Sequence, residues 1–277
     1  MSCVTLVLST FFILTSCIAY SQTAEWWLEK AEEQAQKADK PNLVQAAIKL
    51  YDNALERNPL LLKAYIGRAR AKLRLRDKEG ALLDFSQAIK INPSFAEAYL
   101  ERGLIKLSLL QYKEAAADFT QALQLQPTLY DTYLPLAQVY EAEGNFALAN
   151  SFYQKAYEHF PKKLDVLDKY ANFTQNKIKD HAKTIELMNQ LIAQVKDEPS
   201  FYIRRGTAYH AAQILDKAIA DYTQVTKLFP TDGTAFYYRG LAFSNQGKFD
   251  LACADMKKAF ELGFEPAKTL LDKHCTK

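Results

Sequence analysis

The side chains that could carry out catalysis are few and widely separated in this sequence. The four histidines are scattered along the chain, at His159, His181, His210 and His274. The sequence has no HExxH, GxSxG or CxxC motif and no glycine-rich loop with the spacing that binds phosphates. We therefore predict no catalytic residue, no metal site and no cofactor.

Charged residues show a more regular pattern. Four arginines are each followed, sixteen residues later, by an aspartate: Arg68 and Asp84, Arg102 and Asp118, Arg205 and Asp221, Arg239 and Asp255. A guanidinium group presents a planar fork that can bind a carboxylate through two parallel hydrogen bonds. We predict that these residues form structural ion pairs, either within one structural repeat or between adjacent repeats, and are not a basic binding surface.

The elements that position these residues repeat along the chain. Successive prolines are separated by 34 residues at Pro59, Pro93, Pro127 and Pro161. A fixed period of this length is typical of a solenoid. The chain also has only nine glycines and nine prolines in 277 residues, while Ala, Leu, Lys and Gln are abundant, which favours helices. The sequence therefore predicts an all-α repeat protein.

One period, AEAYLERGLIKLSLLQYKEAAADFTQALQLQPTL from Ala96, has small and aromatic residues at set positions: Tyr99, Gly103, Tyr112, Ala115, Phe119, Ala122 and Pro127. This pattern resembles the tetratricopeptide-repeat consensus. The resemblance implies a right-handed α-solenoid of seven helix-turn-helix repeats, each made of a helix A and a helix B, plus a C-terminal capping helix. Within a solenoid at 22–266 we expect repeats at 28–61, 62–95, 96–129, 130–163, 164–198, 199–232 and 233–266, with the capping helix at 267–277.

The arginine and aspartate pattern follows these repeats. Four repeats have both residues, whereas three have neither and carry instead Gln34 with Leu50, Leu136 with Phe152, and Tyr170 with Leu187. Because the two positions change together, the repeats support the interpretation as ion pairs.

The fifth repeat is irregular. The interval from Pro161 to Pro230 is 69 residues, one more than two periods, and the extra residue falls within 176–180. The insertion is either drift in one repeat, or a change in superhelical curvature or a loop that contacts a partner.

In this family the concave groove formed by helices A holds a segment of another protein. On this sequence the corresponding residues are Lys63, Ile66, Arg70, Arg74, Leu100, Leu104, Asp131, Leu134, Gln138, Glu141, Asp168, Asn172, Ile203, Thr207, His210, Tyr237, Leu241 and Asn245. Family members that bind acidic chaperone tails need Lys at position 5 of helix A together with Asn at position 9, and no repeat of this sequence has that combination; the second repeat, for example, has Ile66 and Arg70. We predict a non-catalytic scaffold that binds a protein or peptide other than such a tail.

The charge balance bears on the class of partner. The 35 Lys and Arg residues against 32 Asp and Glu give a formal charge of only +3. Such a small surplus does not favour a polyanion. We expect a protein or peptide partner and no nucleic acid.

The first 21 residues carry no charged side chain and end in Ala19-Tyr20-Ser21, the small-x-small pattern that precedes signal-peptidase cleavage. We predict a cleaved signal peptide and an exported, periplasmic protein. Two alternatives remain: a lipoprotein anchored through Cys17, because Leu14-Thr15-Ser16-Cys17 resembles a lipobox, and an uncleaved N-terminal anchor. Only these alternatives place the protein at a membrane, the first as a lipoprotein subunit of an envelope assembly or secretion complex.

Cleavage would leave two cysteines, Cys253 and Cys275. Cys253 belongs to the last helix B and Cys275 to the capping helix, which should pack next to each other. We predict a disulfide between them in an oxidising compartment. The alternative is a pair of free thiols that behave as small apolar residues.

Overall fold

The computed structural model describes residues 23–275. This part of the chain contains fifteen α-helices and no strand, which confirms the predicted all-α class. The helices are α1 (Ala24–Lys37), α2 (Pro41–Arg57), α3 (Leu62–Arg74), α4 (Lys78–Ile91), α5 (Ala96–Ser108), α6 (Tyr112–Leu125), α7 (Tyr133–Ala142), α8 (Phe146–His159), α9 (Leu164–Phe173), α10 (His181–Gln194), α11 (Pro199–Ala211), α12 (Leu215–Leu228), α13 (Gly233–Asn245), α14 (Phe249–Glu261) and α15 (Pro266–His274). The predicted targeting segment and Cys17 lie outside the described residues. None of the helices between residues 23 and 275 is both long and apolar enough to cross a bilayer.

The helices divide into two compact units, with the boundary between Glu143 and Gly144. The first unit contains α1 to α7 and the second contains α8 to α15. In each unit a helix packs mainly on the helices before and after it in sequence. Helix A of one repeat also contacts helix A of the next, as α1 contacts α3 and α11 contacts α13. Stacking of this kind lets short helices bury a continuous core.

Prolines explain where several of these helices end. Four helices B end two residues before a proline: α2 before Pro59, α4 before Pro93, α6 before Pro127 and α8 before Pro161. A proline disfavours the helical conformation of the residue before it and provides no N–H group for the helix. The preceding residues Asn58 and Asn92 are accordingly extended.

Small residues allow helices A and B of one repeat to approach closely. A Cβ atom added to Gly103 would lie 2.6 Å from the ring of Phe119, and one added to Gly206 would lie 2.6 Å from the ring of Tyr222. Both rings are fully buried. The glycines therefore provide the space in which the largest core side chains pack.

The insertion in the fifth repeat forms a wide helical turn. Residues Thr174–Ile178 continue α9 as a π-helical turn, and Lys179 then adopts a left-handed conformation with φ of 56°. Asp180 caps α10 by accepting a hydrogen bond from the backbone N–H of Lys183 at 2.9 Å. Because a π-turn holds more residues than an α-turn, the extra residue is accommodated inside the helix end.

Candidate functional site

A concave pocket of about 700 Å³ opens on the first unit. Helices α1, α3 and α5, which are the helices A of the first three predicted repeats, supply most of its wall, and α2 supplies one residue. We call it the groove pocket; its lining residues are Glu32, Ala35, Gln36, Tyr51, Lys63, Ile66, Gly67, Arg70, Ala71, Arg74, Phe95 and Glu97.

Helix α3 contributes the cationic wall of the groove pocket. Lys63, Arg70 and Arg74 follow one another at intervals of seven and four residues, so they lie on one helix face. Arg68 and Lys72 lie on another face, where both bind Asp84. The basic run of α3 is therefore divided between a pocket wall and a structural cluster.

The two arginines of this wall differ in how accessible they are to a ligand. Arg70 makes one contact of 3.2 Å with Glu101, and 57% of its side chain remains exposed. Arg74 donates hydrogen bonds to the backbone carbonyls of Ala35, at 2.7 Å, and Ala38. These carbonyls lie at the C-terminal end of α1, where the helix provides no partner for them. Arg70 is thus accessible to a ligand, whereas Arg74 fixes α1 to α3.

Tyr51 reaches the groove pocket from α2. Its side chain is almost fully buried, with 3% of the residue exposed. Burial and the negative charge of Glu32 raise the pKa of the Tyr51 hydroxyl to about 12, although the positive charge of Arg70 acts in the opposite direction. The hydroxyl therefore stays protonated at neutral pH and can donate a hydrogen bond.

Of the other predicted groove residues of the first unit, only Ile66 lines this pocket. Leu104 is 40% exposed, while Leu134 is only 9% exposed. Ile66 lines the groove pocket but is also only 9% exposed, because it belongs to the core cluster that includes Ala69 and Phe85. Leu134 and Ile66 are thus mainly core residues. Of the rest, Asp131 is exposed and Leu100, Gln138 and Glu141 are partly buried.

In the second unit, predicted groove residues are linked to each other and to their neighbours. Arg204 forms an ion pair with Asp168, and the Gln175 amide donates to the Thr207 hydroxyl at 2.8 Å. These contacts join α11 to α9 and its π-helical extension. Between α11 and α13, His210 Nε2 and Asn245 Nδ2 lie 2.6 Å apart, and burial lowers the pKa of His210. Of the remaining residues, Asn172 is exposed and Ile203, Tyr237 and Leu241 are partly buried.

All four arginine and aspartate pairs are present, and each lies within one predicted repeat. In each pair Nε and Nη2 of the arginine donate to the two carboxylate oxygens, at distances of 2.6 to 3.0 Å. The aspartates are buried, and hydrogen bonding to Asp118 and Asp221 raises the pKa of Arg102 and of Arg205. The pairs are structural and lie outside the groove pocket.

The same arginines also bind the preceding repeat, which the sequence interpretation missed. Their Nη1 groups donate to Asp52 at 2.6 Å, Ser86 at 3.2 Å, Asn189 at 2.7 Å and Thr223 at 3.3 Å. These four acceptors precede their arginines by sixteen residues, and every one carries a side-chain oxygen. This regular spacing is the sequence signal from which the contacts with the preceding repeat could have been predicted.

Aromatic rings complete the surroundings of the arginines. The guanidinium groups lie 5.3 to 5.6 Å from the ring centres of Tyr65, Tyr99, Tyr202 and Phe236, each three residues earlier on helix A. These partly buried rings therefore make cation–π contacts with the arginines.

The capping helix is joined to the last helix B by a disulfide. Cys253 on α14 and Cys275 at the end of α15 are bonded, with their Cα atoms 5.6 Å apart. The pairing is the one predicted from the sequence, and it excludes the alternative of two free thiols in this structure. Within residues 23–275, no group of three or more His, Cys, Asp or Glu side chains is arranged to hold a metal ion.

Comparison with known proteins identifies the repeat. A family model described as tetratricopeptide repeat matches residues 33–96, 66–130 and 203–262, which together make up more than half of the chain. A comparison with curated protein sequences finds no significant match.

Solved structures show the same fold at low sequence identity. A tetratricopeptide repeat protein from Parabacteroides merdae is 20% identical with a TM-score of 0.59, covering 91% of this chain and 98% of that one. The C-terminal part of a TPR repeat-containing protein from Cytophaga hutchinsonii is 17% identical with a TM-score of 0.69, covering 85% and 95%. PilW, a widely conserved type IV pilus biogenesis factor, is 19% identical with a TM-score of 0.60, covering 75% and 94%.

Proposed function

This chain belongs to the tetratricopeptide-repeat family, and we propose that it is a non-catalytic scaffold that binds a segment of another protein in the groove pocket. The fold implies a protein-interaction scaffold. Binding in the groove pocket is proposed because this pocket is concave and has both charged and apolar lining residues.

The dimensions of the groove pocket suit an extended peptide. Neighbouring packed helices lie roughly 8 to 10 Å apart, so three successive helices A span on the order of 20 Å. An extended chain covers that distance with about six residues. Phe95 and the small exposed part of Ile66 offer apolar contacts, while Lys63, Arg70 and Glu97 can select the orientation of the segment.

We place this function outside the cytoplasm, in the periplasm of a bacterium. The uncharged segment at residues 1–21 supports export, and the bond between Cys253 and Cys275 is of a kind that persists in oxidising compartments. The second candidate is a lipoprotein anchored through Cys17 that serves an envelope assembly or secretion complex. It is favoured by the similarity to PilW, which is described as a pilus biogenesis factor. Mass spectrometry of the mature N-terminus distinguishes cleavage after Ser21 from lipidation of Cys17.

A photo-crosslinking experiment tests the binding site in the native cell envelope. A crosslinking amino acid at position 63 lies in the groove pocket, and one at position 83 replaces Leu83, which is 73% exposed on α4 outside the pocket. We expect one defined protein to be captured from position 63 and not from position 83. Equal capture at both positions, or none at position 63, would contradict the proposal.

A further inference from the structure

Helix α15 covers an apolar surface at the end of the second unit. We call it the cap surface; it is formed by buried and partly buried side chains of α13 and α14, namely Tyr237, Leu241, Met256 and Ala259. The side chains of α15 that pack in the same cluster are Ala267, Leu270 and Leu271. Because Tyr237 and Leu241 are predicted groove residues, α15 covers a surface that the family resemblance assigns to a partner.

Packing alone holds α15 weakly. The helix has nine residues, and isolated helices shorter than about 12 residues are marginal in water. Among the residues of α15 whose burial is described, Ala267 alone is buried. A cavity of about 80 Å³ also lies at this contact, and its wall includes Met256, Leu270 and both cysteines of the disulfide. Side chains around a cavity lose dispersion contacts, so the covalent bond contributes much of the attachment of α15.

An exposed phenylalanine lies beside the cap surface. Phe249 is the first residue of α14, lines the same cavity and is 63% exposed. Its equivalent in the fourth repeat, Phe146, is 37% exposed and lies 6.2 Å from the ring of Phe173 on the following helix A. The helix that follows Phe249 is short, since α15 has nine residues and α13 has thirteen. A helix one turn longer than α15 would therefore cover more of Phe249.

The disulfide that closes the cap surface can be opened by an external dithiol. Cys253 and Cys275 are both partly exposed, so a thiolate can attack one of the two sulfurs. The attack forms a mixed disulfide and releases the other cysteine, and the second thiol of the donor then displaces the first cysteine. In total the protein gains two electrons and two protons, and the donor becomes a disulfide. After this step only residues 262–265 join α15 covalently to α14.

We propose that the cap surface is a docking site for an amphipathic helix of a partner protein, and that the bond between Cys253 and Cys275 keeps this site closed until the bond is reduced. The chemistry of the occupant follows from α15 itself, which places Leu270 and Leu271 three and four residues after the small Ala267. The partner helix is one turn longer, so it also covers Phe249, and this additional contact lets it displace α15. The inference does not depend on the groove pocket, which lies in the first unit.

A labelled peptide tests the cap surface in the purified protein. The probe repeats residues 264–275 with serine in place of Cys275, continues for one helical turn that contains leucine, and carries fluorescein. In the protein, Leu270→Asp combined with Leu271→Asp weakens the competing α15. Lys273→Asp is the matched control, because it changes the net charge equally at an exposed residue of α15. Fluorescence anisotropy measures the affinity of each protein for the probe before and after reduction with dithiothreitol.

Reduction should open the site. We expect the reduced double variant to bind the probe at least tenfold more tightly than the same variant with its disulfide intact, because the closed loop favours the bound position of α15. Reduced wild type, which needs no substitution, should bind more weakly than the reduced double variant but more tightly than oxidised wild type, and Lys273→Asp should behave like the wild type. Equal affinity before and after reduction, or no binding by the reduced proteins, would overturn the proposal.

Two substitutions of exposed residues test where the probe binds. Phe249→Asp, made in the double variant, should weaken binding of the probe to the reduced protein about tenfold. Leu251→Asp should leave the affinity unchanged, because Leu251 is 50% exposed and does not line the cavity beside the disulfide. Equal effects of the two substitutions would overturn the proposal. A reduced protein that forms dimers in sedimentation and excludes the probe would assign the cap surface to a second copy of this chain, which would also overturn it.

Discussion

Arg102 and Asp118 are joined by two hydrogen bonds, 2.8 Å from Nε to Oδ2 and 2.7 Å from Nη2 to Oδ1. Lys106 Nζ lies 2.7 Å from Oδ2 of the same carboxylate, so Asp118 neutralises two cations. Asp118 is 4% exposed, and a carboxylate buried to this extent needs such partners. The relationship ties helix α5 to helix α6 within one repeat.

Replacing Asp118 alone should therefore destabilise the protein strongly. Asp118→Ala leaves Arg102 and Lys106 without their shared partner, and we expect a loss of about 3 to 5 kcal/mol in the free energy of unfolding. Arg102→Leu combined with Asp118→Leu should cost less, because one of the two cations is removed with the carboxylate. Asp221→Ala is the matched single change, and it should also cost less, because Arg205 is the one cation paired with Asp221 in the described chain. Thermal melts in which Asp118→Ala is not the most destabilised of the three variants would contradict this account.

Glycines at the contact between helices A and B should differ in their tolerance of a methyl group. A Cβ atom on Gly103 would lie 2.6 Å from the buried ring of Phe119, whereas one on Gly240 would lie 3.0 Å from the flexible end of Met256 and 3.1 Å from the backbone carbonyl oxygen of Ala252. We expect Gly103→Ala to lose about 1 to 3 kcal/mol through overpacking. Gly240→Ala should lose less, because Met256 can move, the carbonyl has to give by only a few tenths of an ångström, and alanine favours the helix. Urea unfolding of the two variants measures this difference. Equal losses would show that the ring of Phe119 does not limit the approach of the helices.

The disulfide should hold the terminal helix in place. Cys253 and Cys275 are 22 residues apart, and the chain-entropy estimate for a loop of this length is about 3 kcal/mol. Replacing both by serine should speed hydrogen exchange in α15 far more than in α5, because terminal repeats open first. A reducing agent should have the same effect on the wild type and none on the double variant. Unchanged exchange in α15 after either treatment would reject the stabilising role.

Features set by local chemistry and by the repeat could be predicted from the sequence. The helical class, the helix ends before Pro59 and Pro93, and the pairing of Cys253 with Cys275 all depend on residue type and spacing. The ion pairs could be predicted because arginine and aspartate change together from repeat to repeat. A periodic sequence places many residues at once, so a contact inferred in one repeat transfers to the others.

The details of the groove could not be predicted in this way, because they depend on residues that differ from their equivalents in the other repeats. Gly67 is unlike its equivalents in other repeats, and only the structure shows that a Cβ atom here would lie 2.4 Å from Cζ of Tyr51. Arg74 occupies a groove position, yet it binds carbonyls at the end of α1, which its sequence position does not reveal. The left-handed conformations of Arg76 and Leu110 in the turns between helices were also missed, because neither residue favours a positive φ.

The affinity of the protein captured from position 63 for two charge-reversal variants tests the central claim most directly. Lys63→Glu with Arg70→Glu alters the accessible cations of the groove pocket and leaves Arg74, which holds α1, unchanged. Lys49→Glu with Lys90→Glu is the control, because it changes the net charge equally at two exposed lysines outside the pocket. We expect the groove variant to bind at least tenfold more weakly than the wild type and the control variant to bind like the wild type. Both variants should melt within a few degrees of the wild type, because exposed substitutions usually cost under about 0.5 kcal/mol. Equal affinities of the groove variant and the control would contradict the assignment of the groove pocket as the binding site.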